Sequence, residues 1–457
     1  MALWIRVSGL ATCLAACSAL SACEIRVDSK EDGSDGQLGD DGTWSAPHSS
    51  VPPRDWPPPP PHYRPTPPPD PLPPFAANYP VDPMRELIIV DPVVVTSDRA
   101  SNAVQGAPFS FRTQMEWLAG SDQDPAVFSL TWLQEWTRVR TLGPHAAPVT
   151  PRPSAQRLLI DPWWRASAAE PEAPTSAGSY GGATEPPALE RLPFRLIAIV
   201  NRLDLHAGAC SGAPGELRYV YTAVDSLSSR ALPMTVIVEI PYPRTLPATE
   251  WARAWHELSD PTARATSEAR LEALSRAVRK DADPLAARVR SNELALAGED
   301  PSWELREFRV EADAGGRRLA QTPLEHTPRV DVDPSLVDAH VTLNAAAIRG
   351  GAFPLPPALR AGAARVPVAN FSWASSNLNE PLRAAFSRET CNGCHGGDTR
   401  TLPFQHISAE DSSTRAARLS RFLVDPGAPS DELRRRSQVL EMLLQTTCAG
   451  VDGEAEY

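Results

Sequence analysis

The sequence predicts an α+β protein with an antiparallel, β-rich body, segregated helices and a small α-helical C-terminal segment. Three strand-like runs lie close together in the middle of the chain, at residues 194–200, 217–224 and 234–240. Short loops separate them, which favours antiparallel pairing. Apolar residues at helical spacing lie outside these runs, in four segments: 125–139, 271–278, 377–390 and 430–446. Strands and helices are therefore clustered separately, as in α+β folds.

Two further segments extend the predicted sheet. Residues 86–96 are rich in β-branched side chains but contain Pro92, so they predict a strand or strand pair at a sheet edge. Residues 303–310 and 317–321 flank Ala314-Gly315-Gly316, which predicts a β-hairpin.

Charged residues alternate with apolar ones in the first strand of this hairpin. Glu304, Arg306 and Glu307 surround Leu305 and Phe308. This alternation is typical of a half-buried strand, and it predicts that the three charged side chains lie on the solvated side.

The N-terminus reads as an export signal. Residues 1–22 contain a short charged start and a long apolar stretch, and they end in Leu20-Ser21-Ala22 before Cys23. These residues resemble the lipobox of bacterial lipoproteins, in which the cysteine becomes lipidated. Cys17 is a second candidate, but the polar sequence begins directly after Cys23. The alternatives are an ordinary cleaved signal and an uncleaved anchor helix.

Two spacers follow the predicted lipid anchor. Residues 23–45 are acidic and rich in glycine, with seven acids and two bases between residues 24 and 42. Such a segment cannot bury enough apolar area to fold. Residues 46–83 form a proline-rich linker, with 17 prolines between residues 47 and 83. Because proline fixes φ and removes a donor, this linker is expected to be extended and stiff.

The remainder divides into an α+β body at 84–376 and a C-terminal segment at 377–450. The net charge of −12 argues against nucleic acid as a partner. Four cysteines remain in this region: Cys210, Cys391, Cys394 and Cys448. A small, even number of cysteines in an exported protein usually indicates disulfide bonds.

One motif in the C-terminal segment indicates a specific cofactor chemistry. Cys391-Asn392-Gly393-Cys394-His395 is the C-x-x-C-H attachment signature of c-type haem. In such a site two thiols bond to the porphyrin, and the adjacent histidine supplies the proximal ligand to iron. Helical segments precede and follow the motif, so the C-terminal segment resembles a small class I cytochrome c. The pattern predicts haem c, with Cys391 and Cys394 as attachment points and His395 as the proximal ligand.

The distal iron ligand has two weak candidates. Met442 is the only methionine after the motif, but it falls inside the predicted last helix and fits a packing role. His406 follows His395 by eleven residues, and its simpler interpretation is a loop or surface histidine. If neither binds, the iron is five-coordinate or water-ligated.

Two other interpretations of the motif stay open. Cys391 and Cys394 could bond to each other, or one of them could bond to Cys210 or Cys448, which would make the motif a structural staple. Haem attachment would instead leave Cys210 and Cys448 to pair. Zinc is weaker, because adjacent Cys394 and His395 suit one tetrahedral ion poorly.

A resemblance to a known family rests on four segments: FSFR at 109–112, PFRLIAIVNRLDL at 193–205, WELREF at 303–308 and TCNGCHGG at 390–397. Together they resemble a family of uncharacterised exported bacterial proteins that end in a C-N-G-C-H segment. The resemblance implies that the body and the C-x-x-C-H segment belong to one architecture. It implies no activity.

These observations predict a lipid-anchored cell-envelope protein that carries haem c and acts with a redox partner protein in electron transfer or redox sensing. The alternative is a binding or structural lipoprotein whose C-x-x-C cysteines form disulfides. An enzyme with a site near residues 201–204 ranks last, because no nucleophile and base are visible. A local ion pair is the simpler interpretation of Arg202 and Asp204.

Overall fold

The computed structural model describes residues 79–168, 185–293, 303–350, 354–366, 377–399, 405–410, 415–425 and 432–448, with residues 373, 375 and 401. All of them belong to one unit, His62–Tyr457. The predicted signal peptide, Cys17, Cys23, the acidic spacer and most of the proline-rich linker lie outside the described residues. Among the helices that are described, none is long and apolar enough to cross a membrane.

The helices are numbered in chain order: α1 Pro83–Glu86, α2 Pro92–Val95, α3 Phe111–Ala119, α4 Pro125–Gln134, α5 Asp161–Ser167, α6 Ala248–His256, α7 Ser267–Asp281, α8 Pro334–Leu343, α9 Ala345–Arg349, α10 Glu380–Glu389, α11 Cys391–Cys394, α12 Arg421–Val424 and α13 Glu432–Gln445. The strands are β1 Ile88–Ile89, β2 Arg140–Leu142, β3 Ala147–Val149, β4 Phe194–Arg202, β5 Glu216–Val224, β6 Ala231–Pro241, β7 Arg288–Glu293, β8 Trp303–Asp313, β9 Gly316–Thr322, β10 Ala364–Val366, β11 Ile407–Ala409 and β12 Ala417–Leu419. The fold class is α+β, as the sequence predicts.

One antiparallel sheet of eight strands organises the fold. Its order is β1-β4-β5-β6-β7-β8-β10, and β9 also pairs with β8. The three strand-like runs of the sequence are β4, β5 and β6, and they pair as predicted. The predicted hairpin is β8–β9. Two small hairpins, β2–β3 and β11–β12, lie outside this sheet.

The main apolar core extends over both faces of the sheet, and α3, α4 and α7 cover one of these faces. Phe111 of α3 packs against Tyr221 of β5, with ring centroids 5.0 Å apart. Trp132 of α4 packs edge-on against Phe308 of β8, with ring centroids 5.9 Å apart. Aromatic pairs in these tilted and edge-on arrangements add to the stabilisation from burial itself. This face of the sheet is therefore closed to solvent by helices.

The helices begin where the sequence supplies caps. Asp124 accepts hydrogen bonds from Ala126 N and Val127 N at the start of α4, and Pro125 occupies its first position. Asp260 likewise caps the short helical turn before α7. The predicted apolar stripe of α7 is confirmed, with Leu271 and Val278 buried.

The C-terminal segment covers part of the opposite face of the sheet. Strand β11 packs on β4, β5 and β6. Gln405 Nε2 donates a hydrogen bond to the carbonyl oxygen of Asn292 in β7 (3.2 Å). The predicted helices are confirmed as α10 and α13, with Phe386 and Leu440 among their buried residues.

The prediction of an α-helical C-terminal segment is only partly correct. Strands β11 and β12 form a hairpin there, and Ile407, Ala417 and Leu419 join the main core with Leu440 of α13. Each strand has only three residues, which is too short to produce a readable period-2 pattern.

The predicted strand over residues 86–96 is only partly correct. It contains the two residues of β1, which pair with β4 at the sheet edge, and then helix α2. The Asp91 side chain accepts a hydrogen bond from Val93 N, and Pro92 occupies the first helical turn. This cap overrides the β preference of the three valines that follow.

The prediction of a solvated side for Glu304, Arg306 and Glu307 is wrong. Their relative exposures are 1%, 0% and 1%. Arg306 and Glu304 pair with each other on the apolar face, whereas Glu307 pairs with Arg290 of β7 on the opposite face. Charged side chains can be buried in this way only when they are paired.

Candidate functional site

The C-x-x-C-H motif forms a single helical turn, α11, directly after α10. Thr390 separates the two helices and caps the turn: its Oγ1 accepts a hydrogen bond from Gly393 N (3.0 Å). The same hydroxyl donates to the Ser387 carbonyl oxygen (2.7 Å) and accepts from Trp373 Nε1 (2.8 Å). The local conformation of the motif is thus fixed by one threonine.

Glycine is the only residue type that fits at position 393 on this backbone. A Cβ atom at this position would lie 2.0 Å from the Ser387 carbonyl oxygen, a distance that no real contact allows. Glycine therefore lets α11 fold tightly against the end of α10.

Both cysteines of the motif are free thiols and are partly buried. Cys391 packs against the apolar cluster around Trp303 and Leu305, and its backbone N–H donates to Thr327 Oγ1 (3.1 Å). Burial raises the pKa of the Cys391 thiol, and it raises that of Cys394 to about 12. Uncharged sulfur is therefore the form that this environment favours.

These raised pKa values predict slow alkylation. Thiolate is the reactive form, so at pH 8 the folded, haem-free chain is expected to react with iodoacetamide at Cys394 about a thousandfold more slowly than the unfolded chain. In the folded chain the rate is expected to keep rising with pH above about 9, where the cysteines of the unfolded chain are already mostly thiolate. Peptide mass spectrometry over time measures both rates, and the same chain in urea is the control. Equal rates in the two states would contradict the prediction.

Two histidines and two aromatic residues form a row beside the cysteines. The His395 ring stacks on Trp303 with centroids 4.9 Å apart and planes 21° apart. The His406 ring lies 4.2 Å from the His395 ring on one side, and 4.8 Å from Phe422 on the other. His406 Nε2 is 3.5 Å from the Cys394 sulfur. His406, a candidate iron ligand in the sequence analysis, therefore lies beside the motif in the structure.

The environment of His406 favours a neutral imidazole. Its Nδ1 lies 3.1 Å from Ser420 Oγ and 3.3 Å from Thr401 Oγ1, so Nδ1–H can donate to a hydroxyl. Burial, together with the nearby charge of His395, holds the pKa of His406 well below its usual range. A hydrogen bond at one ring nitrogen is the usual way in which a metal-binding histidine is oriented.

A row of ion pairs lies on the same sheet face, near α11. It runs across β5, β6, β7 and β8 through Arg218, Glu239, Arg290 and Glu307. The joining distances are 3.3 Å for Arg218–Glu239, 3.2 Å for Arg290–Glu239 and 2.8 Å for Arg290–Glu307. The side chains of Glu239 and Glu307 are 1% and 2% exposed. The carboxylates of this row are therefore buried with their arginine partners.

The ion pair predicted between Arg202 and Asp204 is confirmed at 2.8 Å. Asp204 also binds Arg435 of α13 at 2.7 Å. Burial alone would raise the pKa of Asp204, but Arg202, Arg436 and Arg435 lower it well below its usual value. This pair therefore anchors the last helix to the end of β4.

Asn201, next to this pair, forms hydrogen bonds that stabilise the fold. Its side-chain amide donates to the Glu86 carbonyl oxygen (3.1 Å), and its oxygen accepts from Tyr242 Oη (2.9 Å) and Leu203 N (3.1 Å). These contacts explain why it is fully buried. Nothing in this geometry supplies the nucleophile and base that an enzyme near residues 201–204 would need.

The structure brings together four of the predicted site residues: Cys391, Cys394, His395 and His406. Met442 is a partly buried residue within α13, and none of the contacts described for these four residues involves it. Cys210 and Cys448 form a disulfide bond with a Cα–Cα distance of 5.4 Å. This bond leaves neither of them to pair with Cys391 or Cys394.

Sequence reasoning missed Trp303, Thr401 and Ser420, which position the two imidazoles. Nothing in the sequence near them signals this role. Charged residues two positions apart in β5, β7 and β8 were the available signal for the ion-pair row. In the described part of the chain, no three His, Cys, Asp or Glu side chains are grouped so that they could hold a metal ion.

Comparisons with protein families, with curated proteins and with solved structures found no match to this chain. The resemblance to exported bacterial proteins therefore stays a prediction.

Proposed function

We propose that this chain is a lipid-anchored cell-envelope protein that carries a c-type haem and acts in electron transfer or redox sensing with a redox partner protein. Cys391 and Cys394 would hold the haem, and His395 and His406 would ligate its iron. The observation that carries this proposal is the meeting of these four side chains at one place, although His406 is separated from the motif by ten residues.

The chemistry of the donor set fits this group. In haem c each S–H adds across one vinyl group, so the sulfurs become neutral thioethers and no oxidant is consumed. An environment that disfavours thiolate suits a thioether. A neutral imidazole is likewise the form that ligates iron.

The two imidazoles, however, are too close for an iron to lie between them at 4.2 Å. Ligation of one iron by both imidazoles would therefore require His395 and His406 to separate. When bound, haem would supply one reversible electron, and the chain's own residues would set its ligation and exposure to solvent.

The proposed location has independent support from the disulfide. Cys210–Cys448 is the kind of bond that persists outside the reducing cytoplasm. The finer proposal is that residues 377–450 form a cytochrome-c-like, haem-carrying segment. That segment packs on the large sheet, so it would use the sheet as one wall of the haem site.

The test is expression of the full chain in a bacterium that makes c-type cytochromes. We expect a Soret band and a covalent mass increment that survives denaturation. The Cys391→Ala/Cys394→Ala variant is expected to lose both. A colourless wild-type chain with a Cys391–Cys394 disulfide would overturn the haem proposal and favour the alternative, a binding or structural envelope lipoprotein.

The lipid anchor needs a separate measurement. Metabolic labelling with a radioactive fatty acid is expected to label the wild-type chain and the Cys17→Ser variant, but not Cys23→Ser. Labelling that depends on Cys17 would move the attachment point, and no labelling of the wild type would reject the anchor.

Replacing His406 with alanine is expected to change iron ligation without affecting attachment. The covalent mass increment stays, but one axial ligand is lost, so the reduced protein gains the ability to bind carbon monoxide. Absorbance spectra of the reduced protein with and without carbon monoxide measure this change.

The matched control for this prediction is Met442→Ala, which we expect to leave the spectra unchanged because Met442 lies within α13. Carbon monoxide binding to Met442→Ala but not to His406→Ala would contradict the assignment of His406.

A further inference from the structure

A cleft separate from the cysteine motif lies between α2 and α7, and we call it the α2–α7 cleft. Its volume is about 490 Å³. Pockets of several hundred Å³ are large enough to hold a small organic molecule. Its apolar lining consists of the exposed Met84 and five buried residues: Ile89, Val90, Val94, Leu258 and Leu271. The cleft therefore offers an apolar floor that water solvates poorly.

Three arginines surround this floor: Arg85, Arg264 and Arg415. Arg85 uses its Nε to donate to the Leu258 carbonyl oxygen (3.0 Å), and Arg415 uses its Nε for Glu410 (3.0 Å). Among the described residues, no side-chain partner is seen for Arg264 or for the terminal nitrogens of Arg85 and Arg415. Several guanidinium donors of the rim therefore remain available to an anion.

The two acids of the lining are already engaged by the protein. Asp91 Oδ1 accepts a hydrogen bond from Val93 N (2.9 Å) as the cap of α2. Glu268 forms an ion pair with Arg99 (3.2 Å). Residues outside the cleft thus partly compensate both carboxylates. The rim therefore has more guanidinium groups than carboxylates available to a ligand.

From this geometry we propose that the α2–α7 cleft binds an organic anion with an apolar body, such as a medium-chain carboxylate or alkyl phosphate. The apolar body would lie on Ile89, Val94 and Leu271, and the head group would accept hydrogen bonds from Arg264 and its neighbours. Charge-assisted bonds from a guanidinium group to an oxyanion supply orientation as well as affinity. This site does not depend on haem.

Isothermal titration of the full chain tests the proposal with four compounds: decanoate, decyl phosphate, decan-1-ol and acetate. Decanoate or decyl phosphate is expected to bind with one-to-one stoichiometry, and the tighter of the two identifies the preferred head group. Decan-1-ol lacks the charge and acetate lacks the apolar body, so both are expected to bind at least about tenfold more weakly.

Two variants and one control locate the site. Arg264→Gln is expected to weaken binding about tenfold through loss of a charged donor. Ser267→Trp is expected to abolish binding, because its side chain would occupy the cleft from the wall of α7. Arg276→Gln changes an arginine of the same helix outside the cleft and is expected to have no effect.

Circular dichroism melting of each variant distinguishes loss of binding from loss of folding. Binding of decan-1-ol as tight as that of decanoate, or binding that persists in folded Ser267→Trp, would overturn the proposal. The absence of binding by both anions would overturn it as well.

Discussion

Replacing Arg306 with methionine is expected to lower the free energy of unfolding by about 3 to 5 kcal/mol. Arg306 is fully buried, and its Nε lies 2.6 Å from Glu304 Oε1 and 3.9 Å from Glu293 Oε1. Arg152 lies 3.6 Å from Glu293 and 3.3 Å from Glu304, and the partly exposed Arg365 lies 3.4 Å from Glu304. Without Arg306, Glu304 would keep two arginine partners, but the buried Glu293 would keep only Arg152, which it shares with Glu304.

Urea denaturation followed by circular dichroism measures this loss. Arg318→Met is the matched control, because Arg318 pairs with Glu311 and Asp313 at the surface and is 52% exposed. Exposed ion pairs contribute at most about 1 kcal/mol, so the control is expected to stay near the wild type. Equal losses in the two variants would contradict the role assigned to Arg306.

The loss in Arg306→Met is also expected to grow with pH. Burial already raises the pKa of Glu293 in the wild type, and removal of Arg306 raises it further. Where a carboxyl has a higher pKa in the folded state, stability is complete below the unfolded pKa and is lost as pH rises toward the folded pKa. The difference between variant and wild type is therefore smallest near pH 4 and larger at pH 7.

Removing the Cys210–Cys448 disulfide is expected to cost about 5.5 kcal/mol in the chain-entropy model, because the bond closes a very long loop. The two cysteines are separated by 238 positions in the sequence. The bond ties the residues after α13 to the loop between β4 and β5, and Thr249 Oγ1 contacts the Cys448 sulfur at 3.4 Å. The Cys210→Ser/Cys448→Ser variant tests this expectation by urea denaturation.

Reduction supplies the control for the disulfide prediction. Dithiothreitol is expected to destabilise the haem-free wild type by a similar amount and to leave the double serine variant unchanged. If the serine variant is as stable as the oxidised wild type, the constraint on the unfolded chain is not what this bond contributes.

Local patterns were sufficient to predict much of the fold. The β-branched runs of β4, β5 and β6 and the apolar stripes of α7 and α13 are regular enough to identify from sequence alone. The two strands β11 and β12 could not be identified because three residues carry no period. Helix α2 was missed because a capping aspartate outweighed the β preference of its valines.

The sequence-based prediction was least accurate for the buried charged residues of β8. Glu304, Arg306 and Glu307 have the sequence pattern of a solvated face. Glu304 and Arg306 pair with each other, but Glu304 also pairs with Arg152, and Glu307 pairs with Arg290, which lie elsewhere in the chain. A residue's type does not reveal a distant partner. The candidate site was different: the C-x-x-C-H spacing is local, and only the choice between His406 and Met442 required three-dimensional information.

The buried ion pairs on both faces of β8 have a consequence for strand alignment. If β8 slipped by one residue against β7, Glu304 and Arg306 would move to the face that carries Glu307, and Glu307 would enter the aromatic core. Glu307 would then be buried without Arg290, and Glu293 would lose Arg306, at a cost of several kcal/mol. An apolar strand could tolerate such slippage, so these charges select a single alignment of the sheet.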